Sequence, residues 1–220
     1  EEILLDASQQ LKAVRKFKYD VAIDFQGLLK SGMVARLSGA PRRWGFSRDI
    51  LREPASRFLL TDTVAVPKSA HVIGKNLALA AGALGIESPW PDLEFPIATS
   101  GEHVNEAVEL ARRAGGKFAI LNPGGGWVTR LWDAEKFGTL ADRLWLELGT
   151  VPVLTTGPDE DALAARVSAS STTGKLIHAR VSLKGFYELA KLASIYIGGD
   201  TGPMHLAVAA KTPIVGLYGP

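Results

Sequence analysis

The second half of the chain alternates between two hydrophobic patterns. Short apolar runs at residues 118–121, 151–155, 195–197 and 214–217 predict buried strands. Between them, apolar positions spaced three and four apart predict amphipathic helices, because that spacing places them on one helical face. These helices are predicted at residues 102–114, 134–148, 160–169, 182–193 and 204–210, with one further short strand at Ile177.

The first half follows the same pattern less regularly. Helices are predicted at residues 3–17, 28–37 and 71–84, and strands at 21–25 and 42–46. Residues 47–67 are basic and show no clear period, so we expect irregular structure there. Residues 87–101 are rich in Pro, Asp and Ser, which is typical of a linker. We therefore predict two domains, at residues 1–97 and 98–220.

Strands that alternate with helices predict an α/β fold with parallel sheets and right-handed crossovers. In such sheets, ligands bind at the carboxyl ends of the strands. Glycine-rich and polar clusters follow four of the predicted strands, at residues 26–27, 124–126, 156–160 and 199–205. The sequence therefore predicts that these clusters share ligand-binding edges.

Composition narrows the function. The 220 residues are 46% hydrophobic and 22% charged, as in a typical globular protein, and the net charge of +2 gives no reason to expect nucleic acid. Cysteine is absent, which excludes disulfides and thiolate sites, and the four histidines lack metal-ligand spacing. No apolar run reaches the roughly 18 residues of a membrane span, and no signal peptide is visible. Both ends resemble cuts within a longer protein.

The segment from Asn122 to Trp132 contains three successive glycines, Gly124, Gly125 and Gly126. Glycines after a strand allow backbone N–H groups to approach a phosphate closely, and Arg130 would add charge. The alternative is a tight turn with a surface arginine. Neither the dinucleotide-binding nor the P-loop glycine spacing is present.

Two further strand ends carry polar groups. Glu160 can accept hydrogen bonds from ribose hydroxyls, or it can simply favour the start of a helix that has Pro158 near its first turn. Asp200 can cap the next helix or hold sugar hydroxyls. Thr201 and Gly202 would offer N–H groups to an anion at that helix start, and His205 is either part of the site or a half-buried structural residue.

The first half carries a basic cluster. It is either a solvated face or a surface for a phosphorylated or carboxylated acceptor. Its members are Lys30, Arg36, Arg42, Arg43, Arg48, Arg52 and Arg57.

Together these motifs resemble glycosyltransferase family 9, the lipopolysaccharide heptosyltransferases. In the second half the resemblance rests on Asp200-Thr201-Gly202, His205-Leu206-Ala207, Pro213 and Leu217-Tyr218-Gly219-Pro220. In the first half, the segment Tyr19 to Ser31 and Arg52-Glu53-Pro54-Ala55 look like the heptosyltransferase I branch. The motifs keep the family's order across nearly the whole chain.

The resemblance implies a GT-B fold, with two Rossmann-like lobes facing across a cleft and the N-terminal lobe incomplete here. It implies inverting transfer of L-glycero-D-manno-heptose from ADP-heptose to a Kdo residue of the lipopolysaccharide inner core. The acceptor would be Kdo-lipid A, and no cofactor or bound metal would be needed. The protein would be cytoplasmic and peripheral at the inner membrane.

The resemblance also implies residue roles. The C-terminal lobe would bind the donor through the residues named above, with Arg130 on the diphosphate, Glu160 on the ribose, Asp200 on the heptose and His205 near the phosphates. Lys30 and Arg52 would bind the acceptor. Two departures are visible: arginine replaces the family's lysine at position 130, and glycines replace polar residues at 124–126.

The general base of the family lies in a glycine-rich loop that would precede Glu1. We therefore name no catalytic residue and expect the 220-residue chain to be inactive alone. Two alternatives stay open: a non-catalytic nucleotide-sugar-binding module, and a GT-B transferase with another donor, such as heptosyltransferase II.

Overall fold

The computed structural model describes residues 2–88, 95–125 and 131–218. Residue contacts divide the chain into two compact units, Glu1–Leu93 and Glu94–Pro220. Each unit is an α/β structure with a parallel sheet.

The C-terminal unit is built on a five-stranded parallel sheet in the order β6-β5-β4-β7-β8. Because the strand order reverses between β4 and β7, their carboxyl ends form the topological switch point where open α/β sheets bind ligands. The strands are β4 (Phe118–Asn122), β5 (Val151–Thr155), β6 (Ile177–Ala179), β7 (Ile195–Gly199) and β8 (Ile214–Leu217). The helices are α4 (Gly101–Ala114), α5 (Ala134–Leu148), α6 (Asp161–Ala169), α7 (Leu183–Leu192) and α8 (Gly202–Ala209).

Helices cover both faces of this sheet, and so its central strands are apolar on both sides. One core contains buried residues of α4, α7 and α8 against Ile120, Val153 and Tyr196. The other contains buried residues of α5 and α6 against Leu121 and Leu154. All five residues of β4 are buried, which explains the continuous apolar run in the sequence.

The N-terminal unit contains a three-stranded parallel sheet in the order β1-β2-β3 among its described residues. Its strands are β1 (Val21–Ile23), β2 (Arg42–Phe46) and β3 (Asp62–Val64), and its helices are α1 (Glu2–Lys16), α2 (Leu29–Leu37) and α3 (Val72–Leu84). Phe46, Leu51, Leu60 and Leu79 form its buried core. A 3-10 helix, Pro54–Leu59, precedes β3.

Several predicted bounds differ from the structure. The region 47–67 is not wholly irregular, since it contains the 3-10 helix and β3. The first strand ends at Ile23 rather than at residue 25, because Asp24 turns the chain by accepting backbone hydrogen bonds. The last helix begins at Gly202, two residues earlier than predicted.

No helix within the described ranges combines the length and the apolar character that crossing a bilayer requires.

Candidate functional site

The loops after β4 and β5 are tied together at the switch-point edge. Asn122, the last residue of β4, is 4% exposed. Its Nδ2 donates to the Thr155 carbonyl oxygen at 3.0 Å and to Thr155 Oγ1 at 3.2 Å. These bonds satisfy a buried amide and fix where both loops leave the sheet.

The Glu160 carboxylate lies against the glycine loop. A Cβ at Gly124 would overlap the Glu160 carboxylate, so only glycine allows this approach. Glu160 Oε2 accepts a hydrogen bond from the Gly157 N–H at 2.6 Å. Glu160 Oε1 accepts no hydrogen bond from the residues that the structure describes. One carboxylate oxygen is therefore held by the backbone, while the other has no partner among the described residues.

The turn before α6 sets the direction of the Glu160 side chain. Glu160 is the N-cap residue of α6, yet its side chain forms no capping hydrogen bond. Pro158 lies just before the helix, and Asp159 adopts a left-handed backbone conformation with φ of 65°. This turn releases the Glu160 side chain from the helix start and directs it toward Gly157 and Gly124.

The start of α8 forms the other side of the switch point. Thr201 is its N-cap residue and makes no side-chain capping bond, so the Gly202 and Met204 N–H groups lack intrahelical acceptors. Asp200 is therefore not the cap. Its Oδ1 lies 3.3 Å from Nε2 of His205, and both side chains are well exposed.

The two loops approach each other across the switch point. A Cβ at Gly125 would lie 3.5 Å from Thr201 Cγ2, and a Cβ at Gly199 would lie 3.9 Å from the Gly124 carbonyl oxygen. The structure thus brings together the predicted donor-site residues Gly124, Gly125, Glu160 and Thr201. Gly126 and Arg130 lie outside the described residues.

Tyr196 lies beneath this edge. Burial raises the pKa of Tyr196 to about 12; the Thr201 side chain, which lies near the hydroxyl without forming a regular hydrogen bond to it, acts in the opposite direction. Its hydroxyl has no hydrogen-bond partner among the described atoms. A Cβ at Gly198 would lie 2.6 Å from this hydroxyl, so glycine is required there.

A cavity of about 520 Å³ lies at the same edge of the sheet, bordered by Gly157 and Asp159. Polar groups from the strand ends line one part of it, and Val181, Leu183 and Phe186 line an apolar part. Pro203, in the first turn of α8, also borders it. This apolar wall could not be predicted from the sequence, where its only signal is a one-residue strand at Ile177 and the start of the helix at residue 182. The remaining lining residues are Asn122, Thr155, Thr156, Pro158, Arg180 and Ser182.

In the N-terminal unit, the Asp24 carboxylate organises the turn after β1. Its Oδ1 accepts from the N–H groups of Gln26 at 2.9 Å and Gly27 at 3.2 Å, and its Oδ2 accepts from Ser31 Oγ at 3.0 Å. These bonds explain why Asp24, Gln26-Gly27 and Ser31 occur at this spacing: they stabilise one turn. Lys30 follows on the first turn of α2, exposed, and borders a cavity of about 720 Å³.

Arg52 packs its backbone against this turn. Gly27 has φ of 65°, and a Cβ there would lie 3.3 Å from the Arg52 backbone nitrogen. The Glu53 N–H donates to the Gly27 carbonyl at 3.0 Å, and Glu53 Oε2 accepts from the Leu29 N–H at 2.6 Å. The chain near Arg52 and the start of α2 are therefore held together.

Three other arginines of the basic cluster contact neighbouring groups. Arg43 Nε donates to the Leu59 carbonyl at 2.9 Å, and Arg57 Nη1 donates to the Leu60 carbonyl at 3.1 Å. Arg42 lies 3.7 Å from Asp62 and 5.1 Å from the Trp44 ring centre. These three arginines have structural partners.

The model of glycosyltransferase family 9 (heptosyltransferase) matches residues 8–220. Lipopolysaccharide heptosyltransferase 1 of Pseudomonas aeruginosa is 29% identical over 96% of this chain and 57% of the relative. Lipopolysaccharide heptosyltransferase 3 of Escherichia coli is 28% identical over 95% of this chain and 62% of the relative. The chain thus spans about three fifths of the length of these relatives.

A solved structure shows the same fold. The E. coli heptosyltransferase WaaC with ADP-2-deoxy-2-fluoro heptose superposes with a TM-score of 0.71 at 25% identity, covering 97% of this chain and 67% of that one. This match and the two parallel sheets confirm the α/β fold of the GT-B type. The family match extends over nearly every residue, and the chain belongs to glycosyltransferase family 9.

Proposed function

We propose that the protein is an inverting heptosyltransferase that transfers L-glycero-D-manno-heptose from ADP-heptose to a Kdo residue of the lipopolysaccharide inner core. Family membership and the heptosyltransferase names of the relatives support the reaction class. The ADP-sugar analogue named with the E. coli structure supports the donor. The C-terminal lobe, residues 98–220, takes the donor and the N-terminal lobe, residues 1–97, takes the acceptor.

The free oxygen of Glu160 is the observation that carries the donor assignment. Its Oε1 lies at the switch-point edge without a described hydrogen-bond partner, while Oε2 is fixed by the Gly157 N–H. A fixed carboxylate is a strong acceptor for hydroxyl donors. In the proposed complex, Glu160 accepts a hydrogen bond from a ribose hydroxyl of the donor.

The diphosphate lies between the glycine loop and the start of α8. In the proposed complex, backbone N–H groups of Gly124 and Gly125 contact it on one side; Gly126 and Arg130, which lie outside the described residues, are assigned to it by the family resemblance. On the other side, Thr201 and Gly202 offer N–H groups at a helix N-terminus, where the dipole favours an anion. These groups stabilise the negative charge that develops on the departing ADP.

The donor sugar lies beside the exposed pair of Asp200 and His205. Asp200 is not engaged as a helix cap, so its carboxylate is available to heptose hydroxyls. His205 lies one turn into α8, near the phosphates. The adenine enters the cavity of about 520 Å³, where Val181, Leu183 and Phe186 give it an apolar wall.

The acceptor is Kdo-lipid A, held through Lys30 and Arg52 beside the Gly27 turn. Both side chains are exposed cations, which suits a carboxylated sugar. The segment from Asp24 to Ser31 and the Arg52-Glu53 pair favour a type I enzyme over types II and III. Because the acceptor is a lipid, the protein works at the cytoplasmic face of the inner membrane in peripheral contact.

The test is heptose transfer by the full-length gene product. ADP-heptose and Kdo-lipid A are supplied, with an acceptor that already carries heptose in a parallel reaction. Transfer to Kdo-lipid A alone is the expected result. Transfer only to the heptosylated acceptor would replace type I by type II or III, and ADP binding without any transfer would favour a non-catalytic module.

A further inference from the structure

A second cavity in the C-terminal unit lies at the opposite edge of its sheet. It has a volume of about 470 Å³ and opens where β4, β5 and β6 begin. Lys117 borders it just before β4, and Val151 and Ile177 border it at the starts of β5 and β6. Five-residue strands separate it by roughly 16 Å from the proposed donor site.

The charged residues that line this cavity are all cations. Arg113, Lys117 and Lys175 border it, and no Asp or Glu is among its described lining residues. The nearby Glu109 carboxylate is taken by Arg112, with Nη2 of Arg112 at 2.8 Å from Oε1. Three exposed cations therefore border one concavity, and none of them forms an ion pair with a described residue.

Helix ends account for only part of this charge. Helices α4 and α5 end at this edge, and each carboxyl end contributes about half a negative charge. Arg112 and Arg113 lie in the last turn of α4 and offset the negative charge at its carboxyl end. Lys117 and Lys175 lie outside the helices, in loops that lead into β4 and β6, so a positive excess remains for a ligand.

The cavity offers an aromatic face and open backbone as well. Lys175 Nζ lies 4.8 Å from the ring centre of Trp145, which also borders the cavity. A Cβ added at Gly115, Gly149 or Gly174 would meet nothing within 4 Å, so open space faces the backbone there. A small anion can therefore reach the cations without displacing packed atoms.

We propose that this cavity, bordered by Arg113, Lys117, Trp145 and Lys175, is a binding site for a phosphate group, distinct from the donor site. The guanidinium fork and the two ammonium groups match the charge of a phosphate and its hydrogen-bond acceptors. The phosphate comes either from a free phosphorylated compound or from an anionic lipid headgroup.

The test follows the Trp145 indole N–H by NMR with ¹⁵N-labelled tryptophan, assigned by the Trp145→Phe variant. Inorganic phosphate is titrated at low ionic strength, where screening is weak. We expect a saturable shift of this signal. The double variant Arg113→Gln/Lys117→Gln should weaken binding by about tenfold or more, because charge-assisted hydrogen bonds are lost.

Lys211→Gln is the control, since it removes an exposed cation from the loop before β8, at the same edge of the sheet, and does not line the cavity. It should weaken binding less than about twofold, because its charge lies outside the cavity and makes no hydrogen bond to a phosphate bound there. Lys175→Gln is a second variant, used if the double variant has a lowered thermal midpoint.

A second arm distinguishes the two sources of phosphate. Co-sedimentation is measured with vesicles of phosphatidylglycerol and, separately, of phosphatidylcholine. A saturable indole shift with phosphate identifies a free compound, and binding only to phosphatidylglycerol identifies a headgroup; both support the site. No response in either arm, or equal weakening by Lys211→Gln, overturns it. ADP affinity should be unchanged in the double variant, because Arg113 and Lys117 do not line the donor cavity. If the phosphate site is overturned, the proposed donor site is therefore not affected.

Discussion

Gly124 and Glu160 follow different strands, yet the absence of one Cβ decides where the carboxylate lies. In Gly124→Ala the added methyl group meets the end of a flexible side chain, which can swing away without moving the backbone. We therefore expect the free energy of unfolding to change by less than about 1 kcal/mol. Affinity for ADP should fall by about tenfold or more, as a displaced Glu160 no longer meets the ribose.

Isothermal titration with ADP and thermal unfolding measure the two effects. Gly101→Ala is the control, because a Cβ there meets nothing within 4 Å and the residue lies far along the chain from both loops. Unchanged ADP affinity in Gly124→Ala would contradict the role given to Glu160.

Tyr196 carries a buried hydroxyl that forms no hydrogen bond with the described residues. Tyr196→Phe removes the hydroxyl but keeps the ring, including its edge contact with Phe186 at 6.2 Å. The free energy of unfolding should rise by about 1 kcal/mol, since an unsatisfied buried polar group is lost. Urea unfolding measures this, with the exposed Tyr19→Phe as a neutral control. A clear loss of stability would show that the hydroxyl has a partner.

At the scale of elements, Asp142 fastens α5 to the loop before β6. Burial alone would raise its pKa, but hydrogen bonds from Ser171, Thr172 and Thr173 hold the pKa of this carboxyl far below its usual value. A lowered folded-state pKa contributes stability above the unfolded-state value, near 4, and this contribution is lost as the pH falls.

Asp142→Asn should therefore lower the free energy of unfolding by about 1–3 kcal/mol at pH 7. The difference from the unaltered protein should shrink as the pH falls below about 4. Chemical denaturation at a series of pH values gives the comparison. Glu147 forms an exposed ion pair with Arg143, so Glu147→Gln should change the free energy of unfolding little at any pH. If Asp142→Asn lowers the free energy of unfolding equally at every pH, the Asp142 charge does not stabilise the fold.

Element bounds could be predicted where the signal is local. The bounds of α5, β2, β5 and β8 follow from their apolar patterns and flanking glycines. The three-residue strand β3 was missed because Asp62 and Thr63 give no apolar run, and its pairing with β2 is a long-range property. The cap of α8 could not be decided from sequence, because Asp200 and Thr201 are equally good cap residues, and the structure places Thr201 there. The apolar cavity wall from α7 also required the fold.

At the scale of the whole molecule, the two units differ in how deeply their strands are buried. Ile120, Leu154 and Tyr196 in the C-terminal sheet are fully buried, whereas all three residues of β1 are only half-buried. Amide hydrogen exchange should therefore be slowest in β4, β5 and β7 and much faster in β1. Mass spectrometry of peptic fragments measures this order. Equal protection of β1 and β4 would contradict it.

The central claim is that the whole molecule selects ADP-heptose as its donor. Calorimetric titration of ADP-heptose, UDP-glucose and GDP-mannose into the protein tests this most directly. We expect ADP-heptose to bind at least about tenfold more tightly than the other two. Binding should weaken by about tenfold or more in Glu160→Gln but not in Glu147→Gln, because only Glu160 lies at the switch-point edge. A preference for the UDP- or GDP-sugar, or full affinity in Glu160→Gln, would contradict the account.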